Sequence, residues 1–204
     1  PTAPEGPEVV FNALHGRWGE DGRVQGLLDL LGAPYTHSGM LASAVAMDKP
    51  MAKQLFAAAG LPTPPGVVVD RATVAEGRLP GWLTSDIYVL KPADDGSSVG
   101  VHIQRPGENA GAPIEDWEED ERILAERFVG GRELTVTVMG EGEDARALAV
   151  TEIRAKSTAF YDYAAKYDAE QAAEHLLPAP IGAAATEEAL RLSRAAHQAL
   201  GCRG

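Results

Sequence analysis

The sequence predicts an α/β unit joined to an α+β unit. Over roughly the first third, strand-like and helix-like runs alternate, as in parallel α/β structure. Later runs are strand-rich and joined by turns, as in antiparallel sheet. Between the two lies LPTPPG at 61–66, which suits neither a helix interior nor a central strand and reads as a linker.

Each element has a local reason. Residues 9–14 (VVFNAL) read as a short buried strand entering the Gly-rich turn HGRWGEDG. Val24, Leu27, Leu28 and Leu31 recur at helical spacing, and Gly32 with Pro34 stops that helix. Residues 39–47 are small and apolar enough for a second helix. Asp48 caps a third, with Pro50 near its start and Gly60 at its end. Beyond the linker the pattern predicts a strand at 66–69, a helix near 72–77 and a strand at 87–91. The loop DDGSSVG and the strand VHIQ follow, and the acidic stretch 106–120 reads as solvated loop. Strands are expected near 122–128, 133–139 and 146–153, and a last helix at 187–200, with Thr186 as its cap and Gly201 past its end.

Composition excludes several classes. The 204 residues are 45% hydrophobic and 24% charged, as in a globular protein, and the net charge of −12 opposes broad nucleic-acid binding. No apolar run is long enough to span a bilayer, so no membrane partner is expected. Cys202 is the sole cysteine, which excludes an intrachain disulfide and suits a reducing cytoplasm. The start, PTAPEGPE, lacks Met and has no features of a signal peptide. Only GCRG follows the last helix, where a pairing strand would be expected. The chain is therefore expected to be cut at both ends.

The P-loop, the dinucleotide fingerprint, the kinase set, H-E-x-x-H and paired zinc cysteines are all absent. Gly96-Ser97-Ser98-Val99-Gly100 formally matches the hydrolase elbow G-x-S-x-G, with Ser98 as nucleophile. That elbow needs a helix after it, whereas VHIQ is strand-like. The same loop can instead cup an anion with backbone N–H groups and the Ser97 and Ser98 hydroxyls, with Lys91 on the strand before it. A plain solvated hairpin is the bland alternative. His15 sits at the strand–turn junction, where a packing role competes with a catalytic one. Lys49 opposes the dipole of the helix it begins, which suggests a nearby anion, although a surface lysine is the ordinary case. Glu126 and Glu133 flank a strand connection and could hold a ligand or form cross-strand pairs. FYDYAAKY at 160–167 has neither period and reads as a structured loop or an aromatic patch.

Taken in order, these segments resemble the D-alanine–D-alanine ligase family. HGRWGEDGRVQG, PYTHSG, MDK, LKPADDGSSVG, AERFVGGRELTV, FYDYAAKY and LPAP follow the family's order and spacing from Glu8 to Gly204. The resemblance implies an ATP-grasp architecture. Residues 1–47 would be a remnant of the N-terminal substrate domain, 48–128 the central subdomain and 129–204 a partial C-terminal subdomain. It also implies ligation of two D-alanines, at the expense of ATP and through an acyl phosphate, for peptidoglycan synthesis. A lid at 157–167 would exclude water from that intermediate. Lys49 and Lys91 would hold the ATP phosphates, and Ser97 and Ser98 would lie on the loop over them. Glu126, Arg127, Phe128 and Val129 match the adenine hinge, Glu133 the ribose carboxylate, and Phe160 would pack near adenine. Arg127 stands where many relatives have Lys. Lys166 would reach the phosphates, Tyr167 would close over the second substrate, and His15 would sit near the first D-alanine. Tyr167 resembles the residue of dipeptide-forming members, so an amine is expected to be preferred over the hydroxyl of D-lactate.

The carboxylates that bind Mg²⁺ or Mn²⁺ in the family are not in this sequence, so the chain alone is expected to be inactive and poorly soluble. Homodimerisation stays open. The competing readings are another ATP-grasp carboxylate–amine ligase, a non-catalytic nucleotide-binding remnant, and the serine hydrolase.

Overall fold

The computed structural model describes residues 7–96, 100–107, 114–154 and 173–204. Three helices come first: α1 (Arg23–Leu31), α2 (Met40–Met47) and α3 (Lys49–Ala58). Gly32, in the left-handed region, closes α1. Asp48 caps α3 by accepting from the Met51 N–H, and Pro50 occupies the first turn, where no N–H is needed. A salt bridge of 2.6 Å from Arg122 fixes the same Asp48 to the first sheet.

That sheet has four antiparallel strands in the order β1-β4-β2-β3. They are β1 (Gly66–Asp70), β2 (Tyr88–Pro92), β3 (His102–Gln104) and β4 (Arg122–Arg127). The short helices α4 (Arg71–Ala75) and α5 (Gly81–Thr84) lie between β1 and β2. Alternation splits the sheet into two faces. Leu90, Ile123 and Ala125 face a core with Val74, Leu83 and Trp117. On the opposite face, Val89 stands across from Glu126 and Lys91 across from Leu124. The second sheet, in the order β5-β6-β7, comprises β5 (Glu133–Met139), β6 (Arg146–Arg154) and β7 (Glu174–Leu176).

The last helix, α6 (Ala183–Leu200), packs on β5 and β6 and also reaches α2 and α3. Three of its side chains hold the β5–β6 connection. Arg194 donates to the Glu143 carbonyl, Gln198 donates to that of Gly142, and His197 Nε2 lies 2.8 Å from that of Gly140.

Several expectations change. Residues 9–14 do not form a buried strand: Val10 makes one isolated parallel bridge with Tyr35, and Phe11 is 79% exposed. A strand needs a ladder, and residues 9–14 make only that single bridge among the described residues. Every pairing within the two sheets is antiparallel. Helix α6 begins at Ala183 after Gly182, so Thr186 is no cap; its hydroxyl lies in the first turn and donates to the Gly182 carbonyl. The acidic stretch is not all solvated, because Trp117 is buried in the core. Segment 157–167 lies outside the described residues.

Candidate functional site

The site is built on the polar half of the first sheet's cleft face. Glu126, near the end of β4, is 6% exposed. Space for it comes from Gly66, its register partner on β1. A Cβ at Gly66 would lie 2.7 Å from Glu126 Cβ and 2.9 Å from the Ala125 carbonyl oxygen, closer than real side chains approach.

Both oxygens of the Glu126 carboxylate are occupied. Lys91, reaching from β2, donates to Oε1. Lys53, from α3, donates to Oε2 at 2.5 Å and also to the Pro64 carbonyl. Burial alone would raise the Glu126 carboxyl. Hydrogen bonds from Lys53 and Lys91, with their charges, overcome that and hold it below the usual carboxylate range.

One turn earlier on α3, Lys49 donates to the Pro92 carbonyl at 2.9 Å and to that of Asp95. Its ammonium is pushed below the ordinary lysine range by burial first and then by the neighbouring Lys91 charge, against the opposing pull of Asp95, Asp94 and Glu126. These groups share a cleft of about 300 Å³ with apolar walls that include Phe56, Leu124 and Leu200.

Lys49 and Lys91 therefore converge on one cleft as expected, although a carboxylate, Glu126, already holds Lys91 there. The Lys91 ammonium is on Glu126, and residues 97–99 of the Gly/Ser loop lie outside the described residues. The strands flanking that loop do pair antiparallel, Tyr88 with Gln104 and Leu90 with His102. Strand, not helix, follows Gly100, which removes the context that a hydrolase elbow requires. Ser97 and Ser98 lie outside the described residues, as do Phe160, Lys166 and Tyr167.

The loop's near end meets the HGRWGEDG turn. A Cβ on Gly96 would lie 3.7 Å from Gly16 Cα and 3.8 Å from a Glu20 carboxylate oxygen. Glu20 and Asp21 serve the turn itself, accepting from the N–H groups of Gly16 and Trp18 at 2.5 and 2.8 Å. Burial would raise the Asp21 carboxyl, but bonds from the Trp18 and Arg23 N–H groups and the Arg23 charge hold it low. His15, in the same turn, is exposed.

In the 126–129 connection, the Arg127 and Phe128 N–H groups are taken by the carbonyls of Pro65 and Ile87, both at 3.0 Å. Val129 is exposed, and so is Glu133 at the start of β5. Sequence reading missed Lys53. The available signal was its spacing of four from Lys49, which puts both on one helix face.

The paired Glu126 sets a pH dependence. A carboxyl held low when folded stabilises above its unfolded pKa, and that contribution is lost as pH falls through the folded value. The stability gap between the protein and Glu126→Gln should therefore stay level from about pH 7 to about pH 5 and narrow as pH falls below about 4.3, the unfolded carboxyl value. Urea midpoints at several pH values check this. A gap that is constant with pH would mean that the pairing contributes no charge-dependent stability.

The family profile "D-ala D-ala ligase C-terminus" matches residues 55–204, and "D-ala D-ala ligase N-terminus" matches residues 2–38. The D-alanine–D-alanine ligase of Caulobacter vibrioides is 52% identical over 203 residues, covering 97% of this chain and 60% of that protein. Its counterpart in Paramagnetospirillum magneticum is 55% identical over 199 residues, covering 97% and 61%. Among solved structures, the VanG D-Ala:D-Ser ligase from Enterococcus faecalis superposes with a TM-score of 0.80 at 31% identity, covering 97% of this chain and 57% of that one. The D-alanine–D-alanine ligase from Coxiella burnetii gives 0.75 at 26% identity, covering 98% and 53%. The chain thus spans about three fifths of the length of the curated relatives it matches. With profiles matched along most of its length and an ATP-grasp fold shared with solved ligases, the chain belongs to the D-alanine–D-alanine ligase family.

Proposed function

We propose that the protein containing this chain joins two D-alanines, with ATP, into D-alanyl-D-alanine for peptidoglycan synthesis. The observation that carries the reading is the meeting of Lys49, Lys53 and Lys91 around Glu126 in one cleft. The cleft's lining has three ammonium groups against one carboxylate, with Asp94 and Asp95 beside Lys49, and in a chain of net charge −12 this gathering of lysines fits nucleotide phosphates. Lys49, desolvated and beside a second cation, gains most from a polyanion.

Adenine is assigned to the 126–129 connection. With the Arg127 and Phe128 N–H groups engaged, Glu126 and the exposed Val129 are the natural partners for its edge. Glu133 is assigned to ribose. His15 is placed near the first D-alanine; the packing of Gly96 against its turn supports that position. Ser97, Ser98, Phe160, Lys166 and Tyr167 keep the roles that the resemblance implies, and residues 1–47, 48–128 and 129–204 are proposed as its three units. The confinement of the two antiparallel sheets to 66–127 and 133–176 supports that division.

In the reaction, a carboxylate oxygen of one D-alanine takes the γ-phosphoryl group, and the bond to the bridging oxygen breaks to release ADP. The amine of the second D-alanine attacks the acyl carbon, phosphate leaves with the electron pair, and the amine loses a proton. Lys49 and Lys91 offset the negative charge spread over the transferring group. The family chemistry also implies Mg²⁺ or Mn²⁺. The described residues do not fit that ion, since no three His, Cys, Asp or Glu side chains gather among them.

A cytoplasmic location is proposed, consistent with the free thiol of Cys202, and a homodimer is proposed as the assembly. No described helix is long and apolar enough to cross a membrane.

The test is ADP release by the full-length protein with ATP, Mg²⁺ and D-alanine. Release should depend on D-alanine, and the dipeptide should dominate when D-lactate competes. ADP release indifferent to D-alanine would overturn the ligase reading, and a depsipeptide as main product would overturn the role given to Tyr167.

A further inference from the structure

Two cations share Glu126, and they differ in what else holds them. Lys53 is anchored from two sides, by the Pro64 carbonyl in the linker and by Glu126 Oε2. Lys91 stands on β2 beside Lys49, whose ammonium is already tied to the Pro92 and Asp95 carbonyls. A polyanion entering this cleft attracts Lys49 and Lys91 together. Lys91 can answer only by loosening its hold on Glu126. Glu126 would then be a buried carboxylate short of one cation, which is costly unless another stays. The charged groups facing Glu126 are Lys49 and Lys53 on α3 and Lys91 on β2, while β1 contributes only Gly66.

We propose that Lys53 is a positioning residue, the resident counter-ion that keeps Glu126 ionised when nucleotide phosphates draw Lys91 away, so that Glu126 selects a 6-amino over a 6-oxo purine. The proposal rests on the nucleotide reading given above. An ionised carboxylate is acceptor-only. It takes a hydrogen bond from an exocyclic amine and repels the oxygen of hypoxanthine or guanine. A protonated Glu126 could donate to that oxygen, and the discrimination would shrink. Sequence position alone gives Lys53 no such role; the double anchoring does.

The test uses the full-length protein with ATP and ITP, measuring binding by calorimetry and KM with kcat by ADP release. Lys53→Met should raise the Kd and KM for ATP by roughly 10- to 100-fold, the range for losing a hydrogen bond to a charged group. It should leave kcat at saturating ATP within a few-fold and narrow the ATP-to-ITP preference. ATP affinity of the variant should also fall as pH is lowered, while the parent stays flat near neutrality. Lys53→Arg should restore both the preference and the flat profile, which a merely structural role would not predict. In a Glu126→Gln background, Lys53→Met should add little, because there is no charge left to neutralise; this pair also serves if the single variant folds poorly. An unchanged ATP-to-ITP ratio and an unchanged pH profile in Lys53→Met would overturn the proposal, as would equal effects of Lys53→Met with and without Glu126. Failure of the parent protein to bind ATP at all would instead overturn the nucleotide reading on which it rests.

Discussion

Lys91→Met in the full-length protein is expected to cut D-alanine-dependent ADP release by about 10²- to 10³-fold, the range for removing one preorganised donor from a charge-developing transition state. Lys91 sits on the cleft face of β2, across from the buried Leu124, so the strand fixes where its stem begins. Methionine keeps most of that unbranched stem and removes the charge. Glu126 retains Lys53 in the variant, so the carboxylate is not stranded and the fold should survive. The loss should therefore be chemical, with an unfolding midpoint close to that of the parent. Phosphoryl transfer asks little of a protein beyond position and charge, so a missing ammonium cannot be replaced by a neighbouring hydroxyl. Lys49 would not compensate, because its single charge is already assigned to the same phosphates and its ammonium is held in place by the Pro92 and Asp95 carbonyls. Steady-state ADP release and circular dichroism on the same preparation decide the matter. Near-normal turnover would show that Lys91 only neutralises Glu126 and takes no part in phosphate handling.

The two faces of the first sheet were legible in the sequence. In IYVLK and RILAER, alternation places Leu90, Ile123 and Ala125 on one side and Lys91, Leu124 and Glu126 on the other. The Asp48 cap and the Gly32 and Gly201 stops were legible for the same local reason. What escaped depends on tertiary contact. Nothing in MDKPMAK says that Lys53 will find a carboxylate on β4, since a helical lysine is exposed by default. The run VVFNAL looks like a strand, yet periodicity cannot supply a ladder partner, and Phe11 and Leu14 end up exposed. Thr186 misled because a hydroxyl residue before two glutamates imitates a cap, whereas α6 starts three residues earlier. Trp117 was hidden by the acidic residues around it. Polar neighbours make a segment look solvated even when one aromatic side chain turns inward.

Trp117 carries the other large expected effect. Trp117→Ala should destabilise the fold by about 3–5 kcal/mol, the usual cost of truncating a buried aromatic side chain. The ring is 3% exposed and closes the core formed by Val74, Leu83, Leu90, Ile123 and Ala125. Its edge meets the His102 ring at 5.3 Å between centroids and 70° between planes. Its Nε1 donates to the Gly100 carbonyl at 3.0 Å, tying the start of β3 to the 114–117 segment. Gly100 is in the left-handed region, and a Cβ there would lie 2.9 Å from Trp117 Nε1, so Trp117 leaves no room for a side chain at position 100. Trp117→Phe separates the contributions. It keeps most of the ring and loses the donor, so it should cost about 1–2 kcal/mol, near the worth of one buried hydrogen bond plus a small void. Against a total stability of about 5–15 kcal/mol for a domain, the alanine variant would remove a large share. Urea unfolding with linear extrapolation measures both. If Trp117→Ala cost under about 1 kcal/mol, the 114–117 segment would be a surface loop resting on the core, not a part of it.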